Sequence, residues 1–430
     1  MIRIAEGTAK ILSSIPLPDE IAVVHRQAAI VDIGGWTTRI GFAGDDAPRV
    51  DAPTCVVKGA EEESVSLCLK KAYDRRATTD VSRVIDKGEV DWEAMEQLLG
   101  YLDNLLQLSS KEVKTPLLLT EKMLVPRHER QKLAEILMEK HGVNSIHFAL
   151  SPALALYAAG TCSGVSVEMG YNACHVVPVF QGYPLFHATH ALNFAGDFCT
   201  RYMMSSGPEL PAMVHPSHRM DVWAYLKEKY CECSPTSALF QKMREEGTAC
   251  TAEGHCNSNS GSSDGDGTDI CGAAVQHRLP DGTIIILDSK RFVPAEMLFN
   301  PSLITGDVLS GDQTLIDNME QLRTSTQPHG LHKLISEAVS KCDQDLAPLL
   351  ESAIHLSGGC SLLRGFPERL RSEIDATLPH NCNVVACTER RHAAFVGGSI
   401  LASLPTFQDF WVTKADYDEV GSSAVLHRCF

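Results

Sequence analysis

The sequence predicts an α/β protein built from two similar halves, and three observations carry this prediction. The first is a strand, a glycine turn and a second strand in AAIVDIGGWTTRIGFA at 28–43. The second is the echo of this pattern at 164–180, where GVSVEMG is again followed by an apolar strand. The third is the length of 430 residues, which favours two domains of about 200 residues over one. The repeat and the length together predict an internal duplication.

The composition excludes several classes of protein. With 21% charged and 44% hydrophobic residues the chain is globular, and its formal net charge of −16 argues against a general binder of nucleic acid or anionic membranes. Protein partners and metal–nucleotide ligands remain compatible with that charge. No apolar run approaches the roughly 18 residues of a membrane span, and residues 1–20 lack a signal-peptide pattern. We therefore expect a cytosolic, nuclear or cytoskeletal compartment, with no membrane and no direct nucleic-acid partner.

The fifteen cysteines are scattered over the chain, which indicates reduced thiols rather than a disulfide framework. The one dense group consists of Cys231, Cys233, Cys250, His255, Cys256 and Cys271. Its spacing matches no paired CxxC zinc pattern, and much of it lies in a low-complexity stretch. A structural zinc site is therefore disfavoured.

The first hairpin is a candidate phosphate-binding turn. Residues 28–33 predict a buried strand, Gly34 and Gly35 allow a tight turn, and the β-branched residues from Thr37 predict a second strand, not the helix of a dinucleotide-binding fingerprint. The backbone N–H groups of such a turn can hold phosphate oxygens, and Asp32 at the strand end can reach a metal ion on those phosphates. A plain structural turn is the alternative.

Outside the two hairpins, the sequence up to the second one predicts an N-terminal extension, an arm, two helices and a strand. Residues 1–27 are predicted as an extension, and the run of acids and then bases at 59–80 as an exposed arm without strands. A helix with Asp91 as its N-cap follows, then a strand in TPLLLT at 115–120 and a second helix at 128–142.

The second hairpin repeats the chemistry of the first. Glu168 and Gly170 occupy the places that Asp32 and Gly34 occupy in the first copy. Two acidic hairpins that face each other across a cleft can clamp a polyphosphate between domains, where ligand sites often lie. The echo therefore favours a nucleotide site over a plain structural turn.

The remaining C-terminal sequence contains two predicted insertions and a third glycine turn. A helix carries Lys227 and Glu228, which in the simplest interpretation form its solvated face. The segment 245–275 is predicted as a disordered insertion by composition, and 305–330 as a second irregular one. Residues 353–374 predict a strand, a glycine turn and a helix, which is either a nucleoside or phosphate site at a helix N-terminus or an ordinary connection.

These segments resemble the actin family. The similarity is carried, in the order found in actin, by GFAGDDAP, TPLLLTE, LALYAAG, HVVPVFQGYPLFHA, LPDG, LSGG, GGSILASLPTFQDFWVTKADYDE and the last four residues. It covers nearly the whole chain after residue 27, apart from the arm and the two insertions. It implies the duplicated ribonuclease-H-like fold of actin, Hsp70 and sugar kinases, with two domains around a cleft that binds ATP or ADP with Mg²⁺ or Ca²⁺.

The resemblance also implies a division into domains. Domain I comprises 28–159 and 393–430, with a shortened arm at about 54–90, and domain II comprises 160–392 with both insertions. The arm lacks the loop with which one actin subunit grips the next, and the second insertion falls at the loop that actin uses across its filament. We therefore expect that the chain does not polymerise with itself as actin does.

Residue by residue, the resemblance implies a nucleotide site. Asp32, Gly34 and His175 match the first phosphate hairpin and the neighbour of the attacking water, and Asp32 is the candidate metal contact. Arg39 stands where actin has a phosphate-binding Lys. The candidate cofactor-binding residues are Asp32, Gly34, Gly35, Arg39, Glu168, Gly170, Lys227, Glu228, Gly358, Gly359 and Arg391, of which the last five fall where the family holds the ribose and adenine.

Several positions depart from the family's pattern. Trp36 replaces a phosphate-loop Gly, Gly35 a phosphate-contacting Ser, Glu168 an Asp, Tyr171 and Asn172 an Asp and a Gly that serve the metal and phosphates, and Leu363 an aromatic residue beside the base. Ser151 stands at the place of the Gln that orients the attacking water. Because a hydroxyl reaches less far than an amide, in-line attack on the γ-phosphate loses its positioned water. We expect no catalytic residue, negligible hydrolysis, and nucleotide binding that is weakened or absent.

An actin-like chain with a damaged hydrolytic site predicts a structural protein. The leading hypothesis is a scaffold in a cytoplasmic, dynein-associated or axonemal cytoskeletal assembly, with protein partners in a multi-subunit complex. One alternative is an actin-related subunit of a nuclear chromatin-remodelling complex, although the arginine pairs at 75–76 and 390–391 are too short for a nuclear-targeting cluster. The other is a slow Mg-dependent ATPase that forms filaments, which would require Trp36 to swing out of the site.

Overall fold

The computed structural model describes residues 27–58, 67–253, 274–303, 329–378 and 382–429. The predicted N-terminal extension up to residue 26, residues 254–273 of the first predicted insertion and residues 305–328 of the second lie outside the described residues. The described strands are β1 (Ala29–Ile33), β2 (Thr37–Phe42), β3 (Val50–Pro53), β4 (Cys55–Val57), β5 (Val81–Arg83), β6 (Ile85–Asp86), β7 (Glu89–Val90), β8 (Leu117–Glu121), β9 (Ser145–Leu150), β10 (Gly164–Met169), β11 (Cys174–Phe180), β12 (Tyr183–Pro184), β13 (His190–Leu192), β14 (Val275–Arg278), β15 (Ile284–Leu287), β16 (Ile354–Ser357), β17 (Val384–Val385) and β18 (Val412–Thr413).

The helices alternate with these strands, which confirms the predicted α/β class. They are α1 (Leu69–Asp74), α2 (Trp92–Leu106), α3 (Arg127–Glu135), α4 (Ser151–Ala158), α5 (Gly196–Ser206), α6 (Pro216–Tyr230), α7 (Ser237–Glu253), α8 (Val293–Glu296), α9 (Leu331–Ser340), α10 (Ala347–Glu351), α11 (Phe366–Asp375), α12 (Ala393–Ser403), α13 (Lys414–Val420) and α14 (Ala424–Arg428). A π-helical turn, Ile136–Lys140, continues α3, and short 3₁₀ turns include Gly359–Leu362 and Arg390–His392. No helix within the described ranges is both long enough and apolar enough to cross a membrane.

The first sheet has the strand order β18-β9-β8-β1-β2-β3. β1 runs antiparallel to β2 and parallel to β8, so the carboxyl ends of β1 and β8 meet at one edge of the sheet. Asp91 caps α2 as predicted, because its side chain accepts a hydrogen bond from the Ala94 N–H at 3.2 Å. The apolar face of α2, which includes Leu98 and Leu102, packs into the core beneath this sheet.

The second sheet repeats the arrangement of the first. Its order is β12-β11-β10-β16-β17, with β13 also paired to β11, and β10 runs antiparallel to β11 and parallel to β16. The two hairpins even close in the same way: the Gly34 N–H donates to the Thr37 carbonyl and the Gly170 N–H to the Ala173 carbonyl, both at 3.0 Å. The hairpin echo seen in the sequence is therefore a structural repeat.

Two predictions about the loops are wrong. The arm predicted at 59–80 is not exposed throughout, because α1 buries Leu69, Ala72 and Tyr73, and Tyr73 belongs to one buried cluster with Cys55 and Val57 of β4. These apolar residues lie in elements only a few residues long. The charged residues around them therefore concealed the apolar periodicity that would have predicted burial. The strands β4 and β5 flank this segment, and its described residues form no strand, as predicted. The first insertion also begins later than predicted, because α7 continues to Glu253.

The third glycine turn has the predicted order of strand, turn and helix, with a 3₁₀ turn between the glycines and the helix. β16 ends at Ser357 and is followed by the 3₁₀ turn Gly359–Leu362, and α11 begins only at Phe366. Gly358 has a φ of +84°, and a Cβ there would lie 2.3 Å from the Met169 carbonyl oxygen. A glycine is needed at this position because β16 and β10 pass so closely.

Candidate functional site

A cavity of about 640 Å³ lies between the two hairpins and the third glycine turn. It brings together every site residue that the sequence predicts: Asp32, Gly34, Gly35, Arg39, Ser151, Glu168, Gly170, His175, Lys227, Glu228, Gly358, Gly359 and Arg391. Its size falls within the range of roughly 300–1,000 Å³ that is usual for small-molecule sites. The structure thus assembles the predicted constellation, and which ligand these residues hold stays a prediction.

The acid of the first hairpin is engaged inside the protein. The Asp32 carboxylate accepts hydrogen bonds from Arg39 Nη1 at 2.5 Å and from Thr120 Oγ1 at 2.6 Å. Arg39 lies opposite Asp32 across the β1–β2 ladder, and Thr120 comes from the neighbouring parallel strand β8. Both carboxylate oxygens of Asp32 therefore already have a partner.

The acid of the second hairpin is held by the residue that replaces the family's Gln. Ser151 Oγ donates to Glu168 Oε2 at 3.0 Å. Burial raises the pKa of the Glu168 carboxyl to about 7, although this hydrogen bond opposes the shift. Burial lowers the pKa of the nearby His175 to about 4, and the charge of Lys122 acts in the same direction, so the imidazole is neutral at pH 7.

The tips of the two hairpins touch each other. The rings of Trp36 and Tyr171 lie with their centroids 5.0 Å apart, and the Arg83 guanidinium lies 4.3 Å from the centroid of the Trp36 ring. Beside them, a Cβ on Gly35 would be 2.7 Å from Asn172 Nδ2, so backbone and amide are in close contact. Aromatic pairs and a stacked guanidinium each contribute on the order of 1 kcal/mol, so this contact holds the tips together.

The far end of the cavity is more open. The Lys227 ammonium donates to the Gly196 carbonyl at 3.0 Å and to Thr200 Oγ1 at 2.9 Å, whereas a Cβ on Gly359 would meet no atom within 4 Å. Lys227 is only 8% exposed, so its predicted place on a solvated helix face is wrong, while Glu228 is exposed as predicted. The acceptors of Lys227 come from α5, which the local helical pattern of α6 could not reveal.

Sequence reasoning missed two charged residues of the site. Lys122 directly follows β8 and lines the cavity beside Asp32 and Glu168; burial lowers its pKa, and the charges of these two acids oppose that shift. Arg83 reaches the hairpin tips from the arm, which the sequence predicted to be an exposed appendage. The sequence does contain a signal for Lys122, because it directly follows the predicted strand TPLLLTE. Adjacent parallel strands bring their carboxyl ends to one edge of a sheet, which here places Lys122 close to Asp32.

A comparison with protein families accounts for this geometry. A family model described as Actin matches residues 23–430. The chain belongs to the actin family. Its two duplicated hairpins around a central cavity are those of the actin, or ribonuclease-H-like, fold. Proteins of the actin family generally bind ATP or ADP with a divalent cation, and the cavity of this member can be tested for its fit to that ligand.

The cavity of this actin-family chain offers space for the nucleoside part of a metal–nucleotide, but its residues obstruct the phosphates and their metal ion. At the nucleoside end, Glu228, Gly358 and Gly359 line the cavity, and a Cβ on Gly359 would meet no atom within 4 Å. At the phosphate end, the hairpin tips that would clamp a polyphosphate are in contact, and Asp32 is engaged by Arg39 and Thr120. A polyphosphate with its metal would have to part the Trp36–Tyr171 contact and compete with Arg39 and Thr120 for Asp32.

The cysteine group adds no second site in the described chain. Cys231 and Cys233 are buried, with pKa values that burial raises to about 12, whereas His255, Cys256 and Cys271 lie outside the described residues. Where the structure describes side chains, no three His, Cys, Asp or Glu residues are grouped as metal ligands would be.

Asp51 → Asn is expected to lower the free energy of unfolding at pH 7 by about 2 kcal/mol. Burial alone would raise the pKa of Asp51, but the hydrogen bond from His392 and the charges of Arg39 and Arg391 outweigh it and lower the pKa to about 2. This stabilisation is present above the ordinary pKa of 3.8 and is lost as pH falls through about 2. Urea denaturation between pH 7 and pH 2 should show a shallower acid loss in the variant.

Asp418 provides the control for Asp51, because its side chain is 62% exposed and forms a surface ion pair with Lys414 at 3.0 Å. Asp418→Asn should change the free energy of unfolding by less than about 0.5 kcal/mol. Equal losses for the two variants would contradict the role assigned to Asp51, which joins β3 to the Arg390–His392 turn.

Proposed function

We propose that this actin-family chain is a non-catalytic structural subunit of a multi-protein cytoskeletal assembly, with weak or vestigial nucleotide binding. The observation that carries the proposal is the direct contact of the two hairpin tips, Trp36 on Tyr171 and Gly35 on Asn172. In such an actin fold, the protein's own side chains occupy the place of the phosphates, so no ATP hydrolysis cycle is needed. The outer surface of the fold can still bind partner proteins.

The residues beside the closed tips also argue against hydrolysis. In-line attack on a phosphoryl group needs a positioned water and a stabilised leaving group. The Ser151 hydroxyl is directed to Glu168, and Asp32 is paired with Arg39. His175 is neutral at pH 7, since burial lowers its pKa to about 4. Ser151 and Asp32 are thus engaged by other side chains, and the neutral His175 alone offers a water one hydrogen-bonding group in place of a positioned set, which supports a non-enzymatic role.

Millimolar Mg-ATP is expected to leave the melting temperature of the purified protein unchanged and to release phosphate only at the background rate. A ligand at 100 times its dissociation constant would stabilise the protein by roughly 2.7 kcal/mol, which thermal unfolding detects readily. Trp36→Gly is the matched variant, because it removes the ring from the tip contact. Stabilisation of this variant alone would identify the contact as the obstacle, and phosphate release by the wild type would overturn the non-catalytic proposal.

A cytoplasmic, dynein-associated or axonemal location is supported by the well-formed actin-like C-terminal region, α12 to α14. The arginine pairs offer little for nuclear import: Arg76 is bonded to Asp221, and Arg390 to Ser361. A tagged pull-down combined with imaging tests the proposal, with recovery from nuclear chromatin-remodelling complexes as the contrary outcome. Salt-induced pelleting of the pure protein would contradict the expectation that it does not polymerise.

A further inference from the structure

The ends of β1, β8 and β10 form a compact charged group at the bottom of the cavity. Asp32 and Glu168 are the last residues but one of β1 and β10, and Lys122 directly follows β8. Lys122 and Arg39 line the same cavity as the two acids. This is the place where an acid at the end of the first strand would face a metal ion carried on phosphates.

The charges of this group balance without any bound ion. Asp32 and Glu168 supply at most two negative charges, and Arg39 and Lys122 can supply two positive ones. Arg39 is bonded to Asp32 at 2.5 Å and Lys122 lines the same cavity as both acids. Arg39 also lies 3.8 Å from Asp51, but Arg391 approaches that third acid at 3.2 Å and balances its charge. The neutral His175 and the Ser151 hydroxyl add no charge. A divalent cation entering here would meet two cations and an acid that is already engaged.

We propose that Lys122, together with Arg39, takes the place that a divalent cation holds in a metal–nucleotide site, so that this cavity binds no divalent cation. The ammonium is tethered to the strand edge by its own chain, so it stabilises the acids without the loss of translational freedom that binding a free ion requires, although burial desolvates it as well. A ligand compatible with this cavity is an uncharged or singly charged molecule of nucleoside size, bound without metal.

The built-in cation and the proposed structural role concern the same cavity, but different results would contradict each of them. Binding of Mg²⁺ or Mn²⁺ by the wild type, without phosphate release, would overturn the built-in cation and leave the structural role standing. Phosphate release would overturn the structural role instead.

The test counts Mn²⁺ ions bound to the full chain by electron paramagnetic resonance, with Lys122→Gln, Lys122→Arg and the double variant Lys122→Gln/Glu168→Gln as comparisons. Surface acids contribute equally to all four proteins. Removing one cation beside the acids should create a Mn²⁺ site at least about tenfold tighter than any in the wild type. The Arg variant should retain wild-type behaviour, and the double variant should lose the new site.

Two results would overturn the proposal. One is a Mn²⁺ site in the wild type as tight as that of Lys122→Gln. The other is a Lys122→Gln protein that is folded by circular dichroism and gains no site. If Lys122→Gln fails to fold, the wild type decides the question. Roughly 5 mM Mg²⁺ or Mn²⁺ should leave its melting temperature unchanged, because an ion that does not bind the folded state does not stabilise it. A stabilisation specific to these ions would overturn the inference.

Discussion

Arg369→Ala is expected to lower the free energy of unfolding by about 3–5 kcal/mol, because it leaves a buried carboxylate without its cation. The Arg369 side chain is fully buried, and its two Nη atoms donate to the Glu296 carboxylate at 2.8 and 3.0 Å. It also donates to the Ser234 carbonyl at 2.8 Å and to Glu373 at 2.7 Å. One guanidinium thus joins α11, α8 and the segment before α7.

Chemical denaturation measures this loss, and Arg364→Ala is the matched control. Arg364 is 76% exposed and lies 3.8 Å from Glu232, so its removal should cost less than about 0.5 kcal/mol. The double variant Arg369→Met/Glu296→Met should recover much of the stability, since it removes both buried charges. A loss below about 1 kcal/mol for Arg369→Ala would show that water or a rearranged side chain satisfies Glu296.

The sequence predicted the hairpins well, because their signals are local. An apolar run followed by Gly34 in one copy and Gly170 in the other requires only a strand and a tight turn, and the structure has both. The cap at Asp91 is local in the same way. Elements of this kind are specified by neighbours a few residues apart.

The site was predictable in its membership but not in its contacts. Whether Trp36 touches Tyr171 depends on the distance between two separately folded halves, and no local pattern encodes that distance. The burial of Lys227 likewise depends on acceptors in another helix, at Gly196 and Thr200. Lys122 is the exception, since its place at the end of β8, parallel to β1, followed from strand order once the hairpin was recognised.

Gly397→Ala is expected to lower the free energy of unfolding by about 2–4 kcal/mol, although alanine favours helix over glycine by about 1 kcal/mol. Gly397 lies in α12, and a Cβ there would be 1.8 Å from the Leu154 carbonyl oxygen and 2.7 Å from the Leu154 Cα in α4. These are backbone atoms, so no rotamer change relieves the clash and the two helices must move apart. The penalty therefore exceeds the gain in helix propensity.

A substitution at the adjacent Gly398 is the control that distinguishes the backbone clash from the change in helix propensity. A Cβ on Gly398 would meet only side-chain atoms, Ile30 Cγ2 and Leu118 Cδ2, each at 3.2 Å, so Gly398→Ala should be tolerated within about 1 kcal/mol. Because α4 begins at Ser151 in the cavity and α12 follows the Arg390–His392 turn that holds Asp51, separating the two helices should also loosen the site.

Amide hydrogen exchange at residues 151–158 should therefore be faster in Gly397→Ala than in the wild type, and unchanged in Gly398→Ala. Similar exchange in both variants would mean that the close crossing of α4 and α12 does not set the geometry of the cavity.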